Sequence, residues 1–198
     1  MAAGRSWRFP IALGGAVVAV ALTAPADRLS PLETAVFRAV NDLPDTLLPV
    51  VWLPMQSGSF GAVPVGALGA LVSRGRRPAA AVVTAGVAAY LLAKGVKRLS
   101  RRPRPAELLE NVHGRRSRQA GGGFPSGHAA VSAALATAAF PELTRGGRAV
   151  AASLAVAAPF GRMYVGAHLP LDVVGGSVLG IAVGSLARRL ADPSLSWA

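Results

Sequence analysis

A chain of 198 residues suffices for one domain, but 52% of this one is hydrophobic and only 15% is charged, against roughly 25% charged in an ordinary soluble domain. Its net charge of +12 lies between long apolar stretches and not along a surface stripe, which argues against nucleic acid as a partner. With no cysteine, disulfides and thiolate metal sites are excluded, and three His with nine acidic residues leave little for any other metal site.

Six apolar segments follow in chain order, at about 10–24, 60–72, 79–93, 126–140, 149–160 and 173–190. Several fall short of the ~20 residues that cross a bilayer, and neutral flanks extend most of them. They predict an all-α, polytopic membrane bundle of about six transmembrane helices, a single domain over 1–198, with the lipid bilayer as its solvent. The first segment has an alternative: Arg5 and Arg8, an apolar core and Ala24-Pro25-Ala26 resemble a secretory signal. Between the first two segments, Pro31-Leu32-Glu33 followed by Ala35, Val36, Phe37 and Val40 predicts an amphipathic helix at the interface. The run 47–55 begins the second span early.

Counting six spans puts the loop after span three, the start of span four, the end of span five and the start of span six on one side. Every unusual polar residue falls there. The other side carries Arg5, Arg8, Arg74, Arg76, Arg77, Arg145, Arg148, Arg188 and Arg189, which suits a cytoplasmic face. Nine further Lys and Arg crowd the segment 94–118 on the polar side.

Three motifs carry chemistry. Lys97 and Arg104-Pro105 are separated by six residues; Phe124-Pro125-Ser126-Gly127-His128 opens span four; Arg162 to Asp172, through Gly166 and His168, opens span six. A phosphoryl group in transfer needs cations and N–H donors around its oxygens, which Lys97, Arg104 and Arg162 can supply. Pro125 suits a first helical turn, leaving the amides of Ser126, Gly127 and His128 as an anion cradle. His168 and Asp172 are four apart and would share a helix face, the carboxylate fixing the imidazole tautomer so that the other nitrogen attacks phosphorus. His128, on another helix, would serve as general acid. His113 reads as loop surface, and Gly121-Gly122-Gly123 as a hinge that folds the loop over the site. Taken singly, Arg clusters and span-end histidines are common topology or headgroup features. Together, in this order and at matching depth, they predict an enzyme.

At these residues the chain resembles the type 2 phosphatidic acid phosphatase superfamily, whose pattern is Lys-x6-Arg-Pro, Pro-Ser-Gly-His, and Ser-Arg-x5-His-x3-Asp. One position departs: Gly161 stands where the family usually has Ser. Gly176, after the Asp motif, also matches. The resemblance implies a metal-free site without cofactor, with His168 as nucleophile giving a phosphohistidine, Asp172 orienting it and His128 protonating the leaving group. It implies that Lys97, Arg104, Ser126, Gly127 and Arg162 hold phosphate. The substrates implied are membrane lipid phosphates: phosphatidic acid, phosphatidylglycerol phosphate or polyprenyl diphosphates such as undecaprenyl diphosphate. Vanadium haloperoxidases share the cradle but are soluble and larger. A non-catalytic scaffold binding anionic lipid would need neither histidine nor Asp172. No motif encodes the lipid or an oligomeric contact.

Overall fold

Ser30 opens the first described helix, α1 (Pro31–Asn41), by accepting the Glu33 N–H on its hydroxyl, with Pro31 in the first turn. The computed structural model describes residues 29–116 and 121–191, with positions 12, 15, 16 and 19. Most of the first apolar segment, Arg5, Arg8, the 24–26 cleavage-like triplet and Arg118 therefore lie outside the described residues. The helix α1 is where the amphipathic pattern puts it: Glu33, Phe37 and Asn41, four apart, face inward, while Leu32 and Val36 face out.

The second span is broken. α2 (Leu48–Met55) and α3 (Ala62–Arg74) flank a 3-10 turn at Gln56–Gly58, and the two halves meet at a 69° bend. Each half is too short for a bilayer, because 13 residues of helix rise only about 20 Å. So the run from Leu48 belongs to the same bent pair, not to a straight early start. Gly75, at φ +91, ends α3 in the left-handed region and donates to Ala70 O and Leu71 O. α4 (Arg76–Ser100) then runs back, and a turn of helix, α5 (Pro105–Leu108), follows motif one. α6 (Gly127–Ala139), α7 (Arg145–Tyr164) and α8 (Pro170–Ala191) occupy the places of the last three predicted spans. Among the described residues, two stretches, Arg76–Leu108 and Pro170–Ala191, are long and apolar enough to cross a membrane, or three if the bent pair counts as one.

No large side chain dominates the centre. Val82, Ala85, Ala89 and Ala93 of α4 meet Ala130, Ala134 and Ala138 of α6, with Leu179 and Ala187 of α8. Gly176, Gly180 and Gly184 of α8 lie against the carbonyls of Ser126, Ala130 and Ala134 of α6, so closely that a Cβ on any of them would overlap. The register rises in the same direction on both helices, so they are parallel and backbone to backbone, the packing that small residues permit in lipid. Leu68, Val72, Leu91, Val150, Val156 and Ile181 face outward, as lipid-facing side chains do.

Candidate active site

The parallel packing of α6 and α8 has a chemical consequence, because it brings two helix N-termini to one end of the bundle. At α8, Leu169 is the cap and Asp172 sits in the first turn, its Oδ2 accepting the Leu169 N–H at 2.8 Å as the acid of a capping box would. His168 precedes the helix and lies in the turn after α7, so the expected shared helical face is not how the pair meets. The turn is tight: Ala167 N–H and His168 N–H both donate to Arg162 O, at 3.0 and 3.3 Å. Gly166, at φ +73, lets the His113 carbonyl approach to where a Cβ would stand 2.7 Å away. The result brings His168 Nδ1 to 3.6 Å from Asp172 Oδ2. Catalytic hydrogen bonds are often this long before substrate tightens them.

At α6, Ser126 is the N-cap, and its backbone N–H is not free for the cradle. Its hydroxyl accepts the Ala129 N–H at 3.4 Å, and its own N–H donates to Asp172 O at 2.8 Å. This corrects the expected three-amide cradle: Gly127 and His128 remain at the cavity, and Ser126 instead ties the two helix starts together. Pro125 lies before the cap, after a cis peptide bond with Phe124, and not in the first turn.

A cavity of about 250 Å³ opens at this end, lined by Gly58, Phe60, Tyr90, Lys97, Gly127, His128, Arg162 and His168. Arg162 Nε is buried there without a hydrogen-bond partner, and such a group is costly unless a ligand satisfies it. Burial pushes the His168 imidazole well below the usual histidine range; the cations of Lys97, Arg162 and Arg104 act in the same direction, while a hydrogen bond with the Gly123 backbone opposes them. Burial and the three cations therefore act together against a charge on this ring. Arg104 stands one layer back, donating Nη1 to Ala167 O at 2.7 Å and Nε to Gly121 O at 2.8 Å.

Several residues at the site were not legible beforehand. Gly58 lies against the His128 backbone where no Cβ would fit, and Phe60 stacks obliquely on Tyr90 with ring centroids 4.7 Å apart. Arg102 and Glu33 are buried beside Asp172. Glu33 did leave a signal, an acid on the inward stripe of an amphipathic helix; Arg102 left none within a basic run. Arg115 and Asn41 fasten the loop. Arg115 stacks 4.3 Å from the Tyr164 ring and donates to Asn41 O, Leu43 O and Tyr164 O, while Asn41 pairs with the His113 backbone in both directions. The His113 side chain itself is exposed near Asp42. Two of the three glycines serve close approach: a Cβ at Gly123 would stand 2.8 Å from Pro103 O, and one at Gly122 would stand 3.1 Å from Lys97 O, while Gly121 takes φ +76. Among the described residues, no three of His, Asp and Glu group as metal ligands.

A family model described as the PAP2 superfamily matches residues 78–194. Two crystal structures share the fold. LpxE of Aquifex aeolicus is 26% identical over 81% of this chain and 96% of its own, with a TM-score of 0.74. A transmembrane PAP2-type phosphatidylglycerolphosphate phosphatase of Bacillus subtilis is 21% identical over 93% of this chain and 96% of its own, with a TM-score of 0.73. Comparison with curated proteins gives no match. The Gly161 departure now has a physical reason: a Cβ there would stand 2.8 Å from Met55 Cβ, so the side chain of α2 fills the space a serine would use.

Proposed function

Since this chain belongs to the PAP2 superfamily and is a phosphatase, we propose that it hydrolyses a membrane lipid phosphate through a phosphohistidine, without metal or cofactor. The observation that carries this is His168 held 3.6 Å from Asp172 at the wall of a cavity that Lys97, Arg162, Gly127 and His128 also line. Lys97 and Arg162, with the Gly127 and His128 amides, surround the phosphoryl oxygens, and Arg104 adds its field from behind. The other imidazole nitrogen of His168, Nε2, attacks phosphorus as the P–O bond to the lipid breaks. His128 gives the departing oxygen its proton. Water then attacks the phosphohistidine, His128 takes its proton back, and inorganic phosphate leaves with His168 restored. Asp172 fixes the tautomer by facing Nδ1.

The outward apolar side chains and the lipid phosphatase likeness support a bilayer lipid as substrate: phosphatidic acid, phosphatidylglycerol phosphate or a polyprenyl diphosphate. Phosphate release from each of these by detergent-purified protein, with chelator present, tests the proposal. Turnover of at least one without added metal is expected. Activity that vanishes in chelator and returns with Mg²⁺ or Zn²⁺ contradicts it. We further propose a multi-pass protein of the cell membrane with the site on the extracytoplasmic surface. Arg77 and Arg188 line one pocket at the end opposite the site, and they belong to the arginine set that suits a cytoplasmic face.

A further inference from the structure

Arg102 lies inside motif one, between the two cations assigned to phosphate, yet it does not line the cavity. It points the other way. Its Nη2 donates to both Glu33 oxygens at 2.8 Å, and its Nη1 lies 3.4 Å from Asp172 Oδ1. Arg102 and Glu33 are 8% and 5% exposed, and Asp172 is fully buried. Glu33 Oε1 also accepts the Leu171 N–H at 3.1 Å, so α1 is stitched to the first turn of α8. Charges thus alternate along a row: Glu33, Arg102, Asp172, then the neutral His168.

A carboxylate with no exposure stays charged only beside a compensating partner. Asp172 Oδ2 is occupied by Leu169 N–H and faces His168, while Oδ1 has no hydrogen bond and lies 3.4 Å from Arg102 Nη1. Arg102 in turn is a buried cation, and Glu33 is the acid that takes up its Nη2. Its planar fork lets one side chain address both acids, which a single ammonium does less well.

We propose that Arg102 is a positioning residue for the reaction. It keeps Asp172 charged and turned toward His168, and Glu33 of α1 holds Arg102 in place. This rests on the reading of His168 as nucleophile. It separates Arg102 from the phosphate-binding cations, because it predicts a loss in the chemical step and not in substrate affinity.

The test compares Arg102→Gln, Arg102→Lys and Glu33→Gln with wild type, using phosphatidic acid in detergent micelles. Arg98→Gln, an exposed change outside the site, serves as control. Arg102→Gln is expected to lower kcat by ~10–100-fold, the scale seen for outer-layer partners of other catalytic groups, with KM within about threefold. Arg102→Lys recovers most of that loss, and Glu33→Gln lies between. The rate of phosphohistidine formation in a single turnover should fall in parallel. Unchanged kcat in Arg102→Gln overturns the proposal, as does a raised KM with kcat preserved, which would mark a phosphate contact. If Arg102→Gln does not fold, wild-type kcat in Glu33→Gln overturns it equally. A wild-type protein inactive on every lipid phosphate sinks the phosphatase reading itself; wild-type turnover with unaffected variants sinks only this proposal.

Discussion

On the proposed reading His168 is the nucleophile, and its surroundings define two measurable consequences. Replacement by Ala removes the nucleophile, and loss of such a group in covalent enzymes costs on the order of 10⁴–10⁶ in rate. Phosphate release should fall by that scale, and acid-labile phosphoenzyme should disappear; a tenth of wild-type turnover would rule out the covalent route. The second consequence concerns stability. Burial, and then Lys97, Arg162 and Arg104, keep the folded ring neutral well below the unfolded value, which is about 6.5. As pH falls through that value the unfolded chain gains a proton that the folded chain refuses, so stability present above it is lost below. Thermal unfolding at pH 7.5 and 5.5 should show a smaller acid-side loss for His168→Gln than for wild type. Gly161 is a residue-scale matter as well. Gly161→Ser must displace Met55 and should cost about 1–3 kcal/mol, whereas adding Met55→Ala makes room and recovers part of it. Equal melting temperatures for Gly161→Ser and wild type would show that Met55 yields freely.

Between elements, the decisive contact is α8 on α6. Gly176, Gly180 and Gly184 recur every four residues along one stripe of α8, and each lies against an α6 carbonyl. Hydrophobic burial contributes little to helix association in lipid, so close backbone approach and its dispersion contacts carry the pairing. A β-branched side chain at Gly180 would push α6 away and shift Ser126 off Asp172, since both contacts belong to the same parallel pair. Gly180→Val is therefore expected to lose activity and several degrees of melting temperature together. Gly95→Ala in α4 faces open space and should be neutral or slightly stabilising, since Ala is the better helix former by roughly 0.8–1 kcal/mol. A tolerant Gly180 would mean that the α6 to α8 distance is not what positions the site. The helix α1 acts at this scale too: its outward Leu32 and Val36 suit a lipid interface, while its inward Glu33 reaches the catalytic end.

Across the whole molecule, the polar machinery sits at one end and the unassigned arginines at the other. The C-terminal end of α4, the start of α6, the end of α7 and the start of α8 converge on the cavity. The turns at Gly75 and at 140–148 close the opposite end, with Arg74, Arg76, Arg77, Arg145 and Arg148 in or beside them. Single cysteines at exposed Glu110 and Gly146 report each end to a membrane-impermeant thiol reagent in intact cells. Labelling at 110 with protection at 146 is expected; the reverse pattern would place the site in the cytoplasm and favour lipids presented on that leaflet.

What the sequence determined by itself was most of the local pattern, although Pro125 and His168 fall just outside the helices it assigned them to. Apolar runs set the helices, and Pro31 and Pro170 sit in their first turns. Tertiary structure alone decided which donors face the cavity. Ser126 and Arg104 carry the right chemistry, but packing ties the Ser126 N–H to Asp172 O and Arg104 to loop carbonyls. The bend between α2 and α3, the Met55 side chain over Gly161 and the Glu33–Arg102–Asp172 row were likewise beyond the sequence. The physical reason is range. Helix formation and capping depend on neighbours within about four residues, whereas the partner of a buried charge can lie 69 or 138 positions away along the chain, where only the folded backbone decides who meets whom.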